Sequence, residues 1–146
     1  RVSGAWLGEQ KVTLYRGGEE FAPIFEELQT KGLLSQFGGT MTQSGNSVTA
    51  TLDIDHTGAV CSYSGTIDGD SLRLTATSCA GAKVVGIEFP DHVRRDLVPG
   101  SVSLLARISS DRMEGFAIEN DSVVESGTSK RIGNLNIESS FTMTRR

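Results

Sequence analysis

The chain has 146 residues, of which 37% are hydrophobic and 22% are charged, and its formal net charge is -4. This composition predicts a globular protein that folds as one domain over residues 1–146. The acidic balance argues against a nucleic-acid partner, and no apolar run approaches the ~18 residues of a membrane-spanning helix. The first residue is Arg1 rather than methionine, so we expect the sequence to begin inside a longer chain.

The first predicted strand covers residues 2–15. Every second residue from Val2 to Leu14, Trp6 among them, belongs to the more apolar of its two faces. Gly8 stands in the middle of this strand, where glycine weakens extended structure. We therefore expect a bend or a β-bulge at Gly8, as a sheet that closes on itself requires.

One short helix is predicted between the first and second strands. Its apolar residues follow the spacing i, i+3, i+4, i+7 and are Phe21, Ile24, Phe25 and Leu28. Pro23 is tolerated in a first helical turn, and Gly32 predicts the end of the helix. The helix either covers the mouth of the fold as a lid or simply buries its apolar stripe against the strands.

The rest of the chain reads as short strands that are separated by turn-forming residues. Asp68–Gly69 is a hairpin signal, and Val48, Ala50 and Leu52 alternate with polar residues. The predicted strands after the helix cover residues 40–44, 48–54, 59–67, 72–77, 85–89, 102–108, 113–119 and 135–145. Segments 90–100 and 120–130 are predicted to be loops.

These strands predict an all-β protein. No strand–helix–strand spacing occurs, and consecutive strands joined by hairpin-sized turns form antiparallel, up-and-down sheets. Pairing of the first strand with the last removes both exposed edges, so we expect a closed β-barrel of eight, or nine, strands. An open sandwich of two sheets is the competing architecture.

Two features at the ends of the chain resemble the calycin superfamily, the lipocalins and their relatives. Gly4-Ala5-Trp6 matches the Gly-x-Trp of their first strand, and Arg145 matches the arginine of their last strand. The resemblance implies that Arg145 packs across Trp6 and caps the closed end of the barrel. The stretch 40–79 is similar to small bacterial lipocalin-like barrels, many of which are exported or lipid-anchored.

Cys61 and Cys79 flank the predicted hairpin at Asp68–Gly69. Pairing across this turn places Cys61 opposite residue 77 or 78, so a disulfide needs only a slight adjustment. Free buried thiols are the alternative, and a zinc site is disfavoured because no histidine lies near the two cysteines in the sequence. A disulfide indicates an exported protein, whether periplasmic, secreted or lipid-anchored.

The polar residues give no catalytic pattern. His56 and His92 are predicted to be solvated loop residues, since neither is accompanied by a serine or cysteine in a nucleophile motif. We expect no metal and no cofactor. Glu114 stays open: it points inward if Phe116 and Ile118 do, and an inward carboxylate is a sign of a functional site.

The predicted function is that of a binding protein with a small hydrophobic or amphipathic ligand inside the barrel. Two alternatives remain, an isomerase or cyclase on the same barrel, and an interaction or inhibitor module that uses loops 90–100 and 120–130. The sequence does not indicate an oligomeric state. The predicted ligand-binding residues are Phe21, Ile24, Phe25, Leu28, Leu52, Tyr63, Leu74, Leu104 and Phe116.

Overall fold

A computed structural model describes residues 1–146 as an all-β protein. Its helical parts are a 3-10 turn (Glu19–Phe21) and the helix α1 (Ala22–Thr30), and neither is long and apolar enough to cross a membrane. The strands are β1 (Gly4–Arg16), β2 (Gln36–Ser44), β3 (Ser47–Leu52), β4 (Val60–Asp68), β5 (Ser71–Ala80), β6 (Ile87–Glu88), β7 (Arg94–Ser109), β8 (Arg112–Glu125) and β9 (Arg131–Arg145).

Eight of the strands close into an antiparallel barrel, as predicted, with the helix between β1 and β2. Consecutive strands pair from β1 to β5, then β5 pairs with β7, and β7, β8 and β9 lead back to β1. The short strand β6 pairs with β7 alone and lies outside the barrel. Because both closing pairs are formed, the open sandwich is excluded.

The closed end of the barrel is held by Trp6 and Arg145, which lie opposite each other in β1 and β9. The guanidinium carbon of Arg145 lies 4.9 Å from the centre of the Trp6 ring, which is 1% exposed. The indole N–H donates to the carbonyl of Val2 at 2.8 Å. Arg145 also donates to the carbonyl of Ser3 at 2.7 Å and to the Asp111 carboxylate at 3.0 Å. The arginine therefore joins the start of the chain to its end.

The opposite end is built differently because the strands differ in length. Strands β1, β7, β8 and β9 have 13 to 16 residues, whereas β3 has 6. The long strands extend beyond the others, and Ile24 and Leu28 of α1 share a buried cluster with residues of β7, β8 and β9.

The predicted loops at 90–100 and 120–130 were wrong over much of their length. Strand β7 begins at Arg94 and β8 continues to Glu125, with Arg95 paired to Glu125. Both segments are rich in polar residues, which in the sequence are typical of loops rather than of strands. A register shift at Pro99 accommodates the proline within the ladder.

The bulge expected at Gly8 is also displaced. Strand β1 shifts its register between Val12 and Leu14 instead. Gly8 lies against the ring of Phe37, and a Cβ at Gly8 would come within 2.4 Å of that ring. Glycine is needed there because the aromatic ring occupies the space of a side chain.

The predicted disulfide between Cys61 and Cys79 is confirmed. A register shift between Ser62 and Tyr63 leaves Thr77 unpaired in β5, so that Cys79 lies directly opposite Cys61. Counting across the turn places Cys61 opposite residue 77 or 78, and this one-residue bulge brings Cys79 to that position instead.

Candidate functional site

The buried apolar side chains of the barrel form two clusters. The lower cluster has 22 buried residues and lies towards the Trp6 end. The upper cluster has 9 buried residues and lies under α1. Five cavities of about 330 to 580 Å³ lie at the surface of the protein.

The predicted ligand-binding residues divide between these clusters, with one exception. Leu52, Tyr63, Leu74 and Leu104 belong to the lower cluster, and Phe21, Ile24 and Leu28 belong to the upper one, with Phe25 packed at its edge. Phe116 is the exception, because its ring is 61% exposed on the outer face of β8. It therefore does not line the barrel interior, and Glu114 and Ile118 point outward with it.

A layer of buried polar side chains separates the two clusters, and we call it the polar layer. On β8 it lies between Ala117 of the lower cluster and Val123 of the upper one. Its members are Gln10 of β1, Asp55, His56 and Thr57 of the β3–β4 loop, Tyr63 of β4, Glu119 and Asp121 of β8, and Ser139 of β9. All are at most 7% exposed, an arrangement that costs free energy unless the groups find partners.

The loop between β3 and β4 supplies part of the polar layer by turning into the mouth of the barrel. Asp55 accepts hydrogen bonds from the backbone N–H of Thr57 at 2.8 Å and from its hydroxyl at 2.5 Å. Residues 81–86 cover the loop, since the N–H of Lys83 donates to the carbonyl of Thr57 at 2.7 Å. Gly58 has a φ of 79° and packs under the Lys83 side chain, so the turn favours glycine.

His56 is buried in this loop, so the prediction that it is a solvated residue was wrong. Its ring is 1% exposed, and Nδ1 contacts a carboxylate oxygen of Glu119. The backbone N–H of His56 donates to the same carboxylate at 3.2 Å. Burial lowers the pKa of His56 although Asp121 and Asp55 favour its charged form, so the imidazole is neutral near pH 7. His92, by contrast, is exposed as predicted.

Three carboxylates of the polar layer meet beside His56. Asp55, Glu119 and Asp121 each place an oxygen within 4.8 Å of the others. Burial, with a smaller contribution from Asp55, raises the pKa of Glu119 to about 8. Burial raises the pKa of Asp121 as well, followed by the charge on Glu119, and burial likewise raises that of Asp55. The three groups cannot all be ionised in so small a space without a compensating cation.

Several atoms of the polar layer have no hydrogen-bond partner. They are Oε1 of Gln10, Oδ2 of Asp55, Nε2 of His56 and the hydroxyls of Tyr63 and Ser139. The carboxylate oxygens of Asp121 likewise have no partner other than the neighbouring Glu119 carboxyl. Native proteins contain few such atoms, and those that exist call for an explanation. Buried polar atoms that lack hydrogen-bond partners within the protein are typical of sites that bind a further group.

A cavity of about 560 Å³ lies at the helix end of the barrel, and we call it the helix-end cavity. Its apolar walls include Phe21 and Phe89, whose rings meet edge to face at 6.4 Å. Arg95 covers the Phe89 ring at 4.4 Å and pairs with Asp91, while its Nε–H has no partner. The remaining residues that line the cavity are Glu19, Glu20, Ala22, Pro23, Glu26, Pro90 and Ile132.

Sequence reasoning missed the inward carboxylates because β8 offers two plausible faces. Phe116 and Ile118 make the outer face look apolar, whereas the inner face carries Glu119 and Asp121. One signal was available in the sequence. Met113 is an even number of residues from Glu119 and Asp121, so all three lie on the same face of β8, and Met113 is buried.

No protein-family model matches this chain, no curated protein matches it, and no solved structure matches it.

Proposed function

We propose that the protein binds a small amphipathic molecule in the helix-end cavity. The observation that carries this proposal is the lining of the cavity, where the aromatic residues Phe21 and Phe89 lie beside an acidic rim; its volume of about 560 Å³ also falls in the range of small-molecule sites. This keeps the binding function predicted from the sequence but places the ligand at the mouth rather than in the barrel interior, because most of the predicted ligand-binding residues are buried in the two apolar clusters.

The floor of the helix-end cavity suits the apolar part of such a ligand. Phe21 and Phe89 are 5% and 4% exposed, so their rings are held firmly by the upper cluster. Ile132 is 38% exposed and adds an apolar wall from β9. Rigid aromatic and aliphatic surfaces favour apolar ligands because little conformational entropy is lost on binding.

The rim of the helix-end cavity suits a cationic or neutral head group rather than an anionic one. Glu19, Glu20, Glu26 and Asp91 carry four acidic side chains, whereas Arg95 is the one basic side chain and is already paired with Asp91. Anions would meet net repulsion, and an ammonium group would be attracted. We therefore expect a molecule that joins an apolar chain or ring to an amine.

Export outside the reducing cytosol is part of the proposal, since the Cys61–Cys79 disulfide supports it. Relationship to the calycins is proposed as well. It is supported by the closed eight-stranded barrel and by the stack of Arg145 on Trp6.

Isothermal titration calorimetry with three eight-carbon probes tests the proposed function. Octylamine, octanol and octanoate share an apolar chain and differ in the charge of the head group. We expect octylamine to bind most tightly and octanoate least, with a difference that shrinks at high salt because the rim charges are exposed. Failure of all three probes to bind would refute a binding site for amphipathic molecules, and tightest binding of octanoate would refute the role of the rim.

A matched pair of variants locates the site. Ile132→Ser changes a partly exposed wall of the helix-end cavity, and Ile118→Ser makes the same change on the outer face of β8. Removal of the isoleucine surface should weaken octylamine binding about tenfold for Ile132→Ser and leave it unchanged for Ile118→Ser. Equal effects of the two changes would show that the probe binds elsewhere.

A further inference from the structure

We propose that Asp55, Glu119 and Asp121 form a binding site for a calcium-type divalent cation between the two apolar clusters. The site is separate from the helix-end cavity, none of whose lining residues belongs to it. It also does not depend on the ligand that this cavity binds.

The spacing of the three carboxylates fits an ion of this size. Their oxygens lie within 4.8 Å of one another. Calcium binds oxygen at about 2.3–2.6 Å, so two oxygens on opposite sides of one ion lie up to about 5 Å apart. Magnesium gives up its water shell reluctantly and is rarely held by protein ligands alone, so a buried set of this kind favours calcium. An all-oxygen set also favours hard cations over zinc or copper.

Unpartnered oxygens provide a second observation that points to a bound group. Asp121 is 1% exposed, and its carboxylate oxygens have no hydrogen-bond partner other than the Glu119 carboxyl, which is itself a member of the set. The Tyr63 hydroxyl is buried without a partner and lies close enough to the three carboxylates to feel their charges, and Oε1 of Gln10 is also buried without a partner. Gln10 reaches the loop beside Asp55, because its Nε2–H donates to the carbonyl of Ile54 at 3.2 Å. Amide oxygens such as that of Gln10 are among the neutral oxygens that complete the coordination of calcium in proteins.

The surrounding contacts hold the carboxylates in place while leaving oxygens free. Both hydrogen bonds from Thr57 go to Oδ1 of Asp55, so Oδ2 remains free. His56 holds Glu119 through its backbone N–H and its ring. Contacts of this kind from groups behind the ligands orient metal-binding carboxylates in known sites.

The nearby cysteines do not make the site one for zinc. The sulfurs of Cys61 and Cys79 lie within 4.8 Å of an oxygen of Asp55. They are bonded to each other, so neither offers the thiolate that zinc would prefer.

Thermal unfolding of the wild-type protein, freed of divalent ions with a chelator and then titrated with calcium chloride, tests the proposal. Sodium chloride at matched ionic strength is the reference. A ligand that binds only the folded state raises the melting temperature, here by about 8 °C when free calcium is about a hundred times the dissociation constant. Magnesium should raise it by less. Absence of a saturable rise with calcium, or a larger rise with magnesium, would overturn the proposal.

Two variants show where the ion binds. Asp121→Asn removes one ligand charge within the site, and Asp68→Asn makes the same change on the exposed end of β4. The calcium-dependent rise should be lost in the first and kept in the second. An undiminished rise in Asp121→Asn would overturn the proposal. The wild-type titration decides the matter by itself if Asp121→Asn does not fold.

Discussion

The pH dependence of stability should reveal the buried Glu119 when divalent ions are removed. Its pKa is raised from 4.5 to about 8 in the folded protein, so the folded state keeps a proton that the unfolded state has released. This contribution is fully present below about pH 4.5 and is lost as the pH rises through about 8. The free energy of unfolding should therefore fall as the solution becomes more alkaline.

The size of the effect follows from the pKa difference. One bound proton corresponds to about 1.4 kcal/mol per pH unit, and the slope flattens above the folded-state pKa, so about 2 kcal/mol is lost between about pH 6.5 and 9. His56 has a lowered pKa and is neutral in the folded state, but the unfolded state still protonates it in part near pH 6.5, so it opposes this loss by at most about 0.4 kcal/mol below about pH 7.5. Asp55 and Asp121 have raised pKa values and act in the same direction as Glu119. Tyr63, which faces these carboxylates, has its pKa raised by burial and then by their charges, so it stays neutral.

Urea unfolding at a series of pH values, with a chelator present, measures this loss. Glu119→Gln keeps an oxygen that accepts from the backbone of His56 and cannot ionise, so its stability should depend less steeply on pH. Glu114→Gln, on the outer face of the same strand, is the control and should follow the wild type. A wild-type stability that does not change across this range, or an equal slope in Glu119→Gln, would refute the reasoning.

Two further predictions concern the parts that hold the barrel together. Replacement of Cys61 and Cys79 by alanine should lower the free energy of unfolding by about 3 kcal/mol in urea titrations, because the disulfide closes a loop with a sequence separation of 18; a loss below about 1 kcal/mol would contradict this. Arg145→Ala should cost about 1–2 kcal/mol and shift the fluorescence of Trp6 to longer wavelength, since the ring loses its cation and gains access to water. Arg146→Ala is the control, and an equal shift in that variant would count against the stack.

The barrel could be predicted from the sequence because its signals are local. Alternation in residues 48–54 and the turn at Asp68–Gly69 specify neighbouring strands, and the helical spacing from Phe21 to Leu28 specifies α1. The positions of Trp6 and Arg145 then indicate which strands close the sheet. Each of these features needs only a few consecutive residues or one distant pair.

The polar layer could not be predicted in the same way. Asp55 and Asp121 are distant in sequence and meet because a loop turns into the barrel mouth, which no local pattern specifies. The inward phase of β8 depends on which face its neighbours cover, and Phe116 favours the wrong one. Loop residues such as His56 usually lie at the surface, so burial there has to be observed.

Chemical-shift mapping with octylamine tests the central claim, that the helix-end cavity binds an amphipathic molecule, most directly. In ¹H–¹⁵N spectra of the labelled protein, we expect saturable shifts at the residues that line this cavity and carry a backbone N–H, which are Glu19, Glu20, Phe21, Ala22, Glu26, Phe89, Asp91, Arg95 and Ile132. The inward residues Leu52 and Leu104 should not respond at all. Shifts centred on those inward residues, or no saturable shifts anywhere, would contradict the account.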